Sequence, residues 1–157
     1  DYMVGVEAGL DSNARKNRGG HAMESIVEAF IGDLCQRNNF CYLKEANAEK
    51  IEKEFGYLVP VDKTSRRYDF VVDNGKELFL IETNFYGGGG SKLKSTAGEY
   101  RNLFDVLAGK YKFIWITDGL GWKTTARPLR EAFDHNDYIF SLKMLEEGIL
   151  DFLIKSG

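Results

Sequence analysis

Two apolar runs separated by Asn74-Gly75 constrain this chain more than any other feature: Arg66 to Asp73, and Lys76 to Asn84. Both have strand composition, and Asn-Gly supplies the positive-φ positions that a two-residue hairpin turn needs. Such a turn sets the register: Asp73 faces Lys76 and Asp69 faces Leu80. Directly opposed residues share a face, as do residues two apart on one strand. Asp69, Leu80, Glu82 and Asn84 therefore project together. Asp69 and Glu82 become diagonal neighbours, with Cα atoms roughly 7–8 Å apart. A turn one residue longer would slip the register and part them.

Around this hairpin the pattern is helical. Met23, Ile26, Val27, Phe30, Ile31 and Leu34 recur at helical spacing and predict a helix over 21–37. Leu93, Ala97, Tyr100, Phe104 and Leu107 predict another over 92–108. A polar helix or irregular segment is read from Glu45 to Phe55. A buried strand covers 111–117, a loop Asp118 to Trp122, and a helix 124–133. A short strand near Tyr138 to Phe140 precedes a last helix over 142–155. The order predicts an α/β fold, a mixed central sheet flanked by helices.

Bulk properties fit one domain over residues 1–157. A hydrophobic fraction of 43% and a charged fraction of 29% support a packed core. No apolar run is long enough to span a bilayer, so a cytoplasmic protein without membrane contact is expected. Cys35 and Cys41 lack metal-ligand spacing and are read as reduced core residues. The chain opens on Asp1-Tyr2 without an initiator Met, and an upstream segment is expected to be missing. The formal net charge of −3 argues against a broadly basic, nucleic-acid-coating surface. Its distribution matters more, because Arg15, Lys16 and Arg18 cluster between Asn13 and Gly20 with no acid among them.

Two carboxylates converging on one face repel unless a proton or cation lies between them. Mg²⁺ suits such a site: it accepts one or two carboxylates, keeps several waters and completes its shell with phosphate oxygens. An ion there can polarise a phosphodiester, acidify water and steady the leaving oxygen. The bland reading is two solvent-facing strand acids, one paired with Arg66 or Arg67.

Asp69 followed by Glu82-Thr83-Asn84 resembles the PD-(D/E)xK nuclease motif, with Asn84 where a Lys usually stands. Four longer strings resemble the DpnII/MboI group of type II restriction endonucleases: VGVEAGLDSNARKNRGG (4–20), RRYDFVV (66–72), LIETNFYGGGGSKLKSTAGEY (80–100) and WITDGLGWKTTARPLREAF (115–133). The resemblance implies a restriction-endonuclease-like core and Mg²⁺-dependent hydrolysis of double-stranded DNA at GATC. It also implies a restriction–modification system with a cognate DNA adenine methyltransferase. GATC is palindromic, which makes a homodimer the natural arrangement.

In this reading Asp69 and Glu82 hold the metal, and Glu24 on the first long helix adds a third carboxylate. Asn84 places the water. Lys92 or Lys94 replaces the missing motif lysine. Arg15, Lys16, Arg18, Lys94 and Arg127 are the candidate DNA contacts, with Lys123 and Arg130 behind them. Each has a plainer reading: a strand-end Asn satisfying backbone groups, a flexible glycine turn at 87–90, a solvated charge run, a coated helix. Trp122 is read as a packing residue, His21 as structural and His135 as a surface residue. The alternatives are a repair-type nickase or structure-selective nuclease of the same superfamily, and a catalytically inactive DNA-binding module. A nucleotide-binding regulator is disfavoured, because the glycine run does not fit the Walker spacing.

Overall fold

The computed structural model describes residues 21–87, 91–124 and 126–156. Arg15, Lys16 and Arg18, and Gly88 to Gly90, lie outside the described residues. Five strands form one sheet in the order β1-β2-β3-β4-β5: β1 (Cys41–Asn47), β2 (Arg67–Asp73), β3 (Leu78–Phe85), β4 (Lys112–Asp118) and β5 (Ile139–Phe140). The first three strands pair antiparallel, whereas β3, β4 and β5 run parallel, so the sheet is mixed as expected. Helices α1 (His21–Asn38), α6 (Leu142–Glu146) and α7 (Ile149–Ser156) cover one face. Helices α2 (Ala48–Phe55), α3 (Ser91–Leu107), the short α4 (Gly121–Thr124) and α5 (Ala126–His135) cover the other.

The two long amphipathic helices follow their sequence pattern. Met23, Val27, Ile31 and Leu34 of α1 are buried against Phe70, Phe79 and Ile81. Leu93, Ala97, Tyr100 and Leu107 of α3 are buried against Leu80, Phe113 and Trp115. Three expectations need correction. Strand β1 was not foreseen: it is an edge strand with Cys41, Lys44 and Glu45 exposed, and its residues do not alternate cleanly. Cys41 is therefore a surface residue, while Cys35 is buried, and both thiols are free. The last helix is two helices, because Gly148 takes φ 91° between them.

The hairpin is the most consequential difference. The observed register pairs Asp73 with Leu78, so the turn runs from Asn74 to Glu77 and not over Asn74-Gly75 alone. Side chains decide this. Asp73 Oδ1 accepts the Gly75 N–H at 2.8 Å, and Asn74 Oδ1 accepts those of Lys76 and Glu77 at 2.9 and 2.8 Å. Gly75 has positive φ in this turn and Asn74 does not. Asn74 Nδ2 also donates to the Ile154 carbonyl at 2.7 Å, tying the turn to α7. The register moves by two residues, so the side chains from Phe70 to Asp73 and from Leu78 to Ile81 keep their faces. Extended beyond its last pair, Phe70 and Ile81, it sets Asp69 directly across from Glu82.

The far ends of β3 and β4 are locked together. The Tyr86 N–H donates to the Asp118 carbonyl at 3.0 Å, and the Tyr86 carbonyl accepts the Gly121 N–H at 2.8 Å. Between them Gly119 has φ 119°, and a Cβ there would lie 2.1 Å from the Tyr86 oxygen. Asp118, fully buried, accepts the Gly119 and Leu142 N–H groups at 2.7 and 3.0 Å. Gly119→Ala is expected to cost at least about 3 kcal/mol, combining a glycine-only backbone with a main-chain clash. A urea unfolding curve with an unchanged midpoint would contradict this.

Candidate metal centre at the end of the hairpin

Beyond Phe70 and Ile81 the β2–β3 ladder gives way to a reciprocal side-chain arrangement. The Asp69 N–H donates to Glu82 Oε1 at 3.1 Å, and the Thr83 N–H donates to Asp69 Oδ2 at 2.9 Å. The other neighbour of Asp69 is irregular too. Glu45 of β1, opposite Asp69, takes φ 49°, and the pairs on either side of it are Lys44 with Phe70 and Ala46 with Tyr68. Tyr68 and Val71, three residues apart, lie in the same core cluster, whereas Phe70 and Val72 lie in the other. The alternation of β2 thus changes face at Asp69. This frees its carboxyl to meet Glu82 on one side and Glu24 of α1 on the other.

Both acids are desolvated. Burial, then the Glu82 charge, pushes Asp69 up to about 8. Burial also raises Glu82, against the opposing pull of Arg66. Two acids this close share a proton unless a cation lies between them. Glu82 is 4% exposed, so the bland reading of a solvent-facing acid does not describe it, although its pairing with Arg66 is present. Beside the pair a cleft of about 460 Å³ opens, with Glu24, Asp69, Lys63, Arg66 and Arg67 on its walls.

Asn84 projects on the same face as Glu82 but is engaged by the core. Its Oδ1 accepts the Trp115 Nε1–H at 2.8 Å, and its Nδ2 donates to Tyr100 Oη at 3.4 Å. Tyr100 Oη in turn donates to Glu82 Oε2 at 3.3 Å. Lys92 and Lys94 are exposed on the first turn of α3, and neither bonds to Asp69 or Glu82. Lys123 of α4 and Arg127 and Arg130 of α5 are exposed in the same layer. Trp122 is buried, donating to Thr117 Oγ1 at 2.7 Å and standing edge-on to Trp115 and Tyr86. His135 is on the surface beside Asp105.

The residues present fit a hard divalent ion. The donors that meet at the end of the hairpin, Asp69 and Glu82, are carboxylates. Among the described residues no group of three or more His, Cys, Asp or Glu is placed to hold a metal ion, so the expected third carboxylate, Glu24, does not join Asp69 and Glu82 in such a group. An ion held by Asp69 and Glu82 would take few protein ligands and keep several waters, the coordination Mg²⁺ accepts. Thr83 Oγ1, buried beside the Asp69 contact, lacks a hydrogen-bond partner and is suited to an ordered water.

Sequence reasoning missed Asp62, Glu99 and Tyr100, and gave Arg66 only as a possible surface partner. Arg66 is 5% exposed, and Asp62, Glu82 and Glu99 all accept from it. The one signal available was Tyr100 on the apolar face of α3, with Glu99 beside it.

The family model for the DpnII restriction endonuclease matches residues 1–151. The chain belongs to that family. It is 51% identical over 156 residues to the type II restriction enzyme MjaIII of Methanocaldococcus jannaschii, covering 96% of this chain and 54% of that protein. It is 39% identical over 156 residues to DpnII of Streptococcus pneumoniae, covering 96% and 54%. It is 36% identical over 159 residues to MboI of Moraxella bovis, covering 100% and 54%. The chain spans about half the length of the curated relatives it matches. No solved structure matches it. The mixed five-stranded sheet with flanking helices is consistent with the restriction-endonuclease-like fold. Among the described residues no helix is long and apolar enough to cross a membrane.

Restoring the motif lysine by Asn84→Lys is expected to destabilise the protein by about 1–3 kcal/mol. It strips the Trp115 indole of its acceptor and sets a charge among buried rings. Thermal melting checks this, and an unchanged midpoint would show that the indole bond is dispensable.

Proposed function

We propose that this chain is the catalytic domain of a type II restriction endonuclease that hydrolyses double-stranded DNA at GATC with Mg²⁺. One observation carries the reading: half-buried Asp69 and buried Glu82 lie side by side where the hairpin ladder ends, each held by a main-chain N–H of the opposite strand. Membership of the restriction endonuclease family and the type II restriction enzymes among its relatives support the activity. The GATC site rests on the likeness to the DpnII/MboI group.

Asp69 and Glu82 would hold the ion, with Glu24 reaching Asp69 from α1. When bound, Mg²⁺ supplies Lewis acidity, polarising the phosphodiester and making water acidic enough to attack it. The protein's part is to hold the two carboxylates close before substrate arrives, so that no reorganisation is needed at the moment of reaction. Asn84 acts through Tyr100 and Trp115, steadying the wall behind Glu82. The cleft between Lys63 and Arg67 leads to Asp69 and suits a DNA backbone. A homodimer matching a palindromic site, and a cognate adenine methyltransferase protecting host DNA, complete the reading.

Digestion of unmethylated and adenine-methylated plasmid, with and without Mg²⁺, tests it. The expected products are fragments ending at GATC, formed only with the ion. Open circles would indicate a nickase instead. A second reading, a binding module without cleavage, draws on the engagement of the Asn84 amide by two aromatic side chains. It would shift DNA in a gel with Ca²⁺ and leave plasmid intact with Mg²⁺. Asp69→Asn is expected to lower cleavage by about a thousandfold or more, on the scale of losing one essential group. It should keep the gel shift in Ca²⁺, and a variant that cuts normally would remove Asp69 from the site.

A further inference from the structure

Arg66 immediately precedes β2, and its guanidinium is held from several directions. Asp62 accepts from Nε and Nη2 at 2.9 and 2.8 Å. Glu99 of α3 also accepts from Nη2. Nη1 donates to Glu82 Oε2 at 2.8 Å, and the Tyr100 ring lies 5.8 Å from the guanidinium carbon. A planar fork with five donors holds a carboxylate in a fixed direction, which a single ammonium does not. Two of the three acids restrain Arg66 independently of Glu82. Glu82 can therefore turn an oxygen toward another partner without stranding a buried charge.

We propose that Arg66 is the positioning residue of the centre: it aims the Glu82 carboxylate at the Asp69 side and so sets how tightly the pair takes a divalent ion. It also brings to the site a positive charge that the motif lacks at Asn84, while Lys92 and Lys94 remain exposed on α3. The inference rests on Asp69 and Glu82 being metal ligands. Stability alone does not separate this role from a merely structural ion pair, because buried pairs often contribute little net stability. Metal affinity does separate them.

The test is binding of Mn²⁺ alone to the full chain, read as loss of the free-ion electron paramagnetic resonance signal, with thermal melting in parallel. Arg66→Lys is expected to weaken binding about tenfold, the usual scale for residues that orient a metal ligand. In a Glu82→Gln background the same change should alter affinity less than about twofold, because Arg66 acts through Glu82. With DNA and Mg²⁺, Arg66→Lys should lower kcat and leave KM for DNA nearly unchanged. Equal Mn²⁺ affinity in wild type and Arg66→Lys, or equal weakening in both backgrounds, overturns the proposal and leaves the ligand assignment standing. A wild-type chain that binds no Mn²⁺ overturns both. If Arg66→Lys does not fold, Asp62→Asn decides: it loosens the fork, and an unchanged affinity overturns the proposal.

Discussion

A sheet interior cannot leave main-chain N–H groups unanswered, and that constraint shapes the functional end of this molecule. Where the β2–β3 ladder stops, the N–H groups of Asp69 and Thr83 still need acceptors. Each finds one in an acid of the opposite strand, at 3.1 and 2.9 Å. The exchange has two effects. It closes the sheet's hydrogen-bond account without water, and it fixes two carboxylates where they repel each other. The left-handed Glu45 across from Asp69 belongs to the same distortion, because a regular β1 would keep Asp69 in strict alternation. Backbone strain of this kind persists only where the surroundings hold it in place.

The electrostatics follow from that placement. Arg66, Asp62, Glu82 and Glu99 form one network at the edge of the core. Arg66 hydrogen bonds hold Asp62 below the ordinary carboxylate range. Burial works against Glu99, yet its bonds to Arg66 and Lys63 hold it low as well. Arg66 stays firmly charged: burial opposes the charge, and Asp62 and Glu99 more than offset it. The Arg66 guanidinium thus serves three acids, and none of its hydrogen bonds goes to Asp69. The imbalance leaves the Asp69–Glu82 pair as the place where one more positive charge is welcome.

Much of the architecture was legible in the sequence, for identifiable reasons. Helices α1 and α3 were clear because their apolar residues keep the helical period over several turns. The hairpin was clear because Asn74-Gly75 sits between two apolar runs. Its register was not, since the side chains of Asp73 and Asn74 cap a longer turn, and such bonds compete with propensity. Asp69 and Glu82 still meet because a slip of two sets them directly opposite, and the change of face at Asp69 leaves its carboxyl beside Glu82. Strand β1 was hidden by its exposed Lys44 and Glu45. The role of Arg66 was beyond reach, because Asp62, Glu82 and Glu99 meet it only once a loop, a strand and a helix have assembled.

The parallel pairing of β3 with β4 has a kinetic consequence. The β2–β3 hairpin joins neighbours in sequence and can zip up early. The pairing of Glu82 with Trp115 must await closure of the whole α3 crossover, a longer loop with a greater entropic toll. Glu99 arrives with the same crossover, and with it the last clamp on Arg66. Arg66 meets Glu82 with the hairpin and its clamp from Glu99 comes later, so the nascent chain passes through a stage in which the guanidinium is held less firmly.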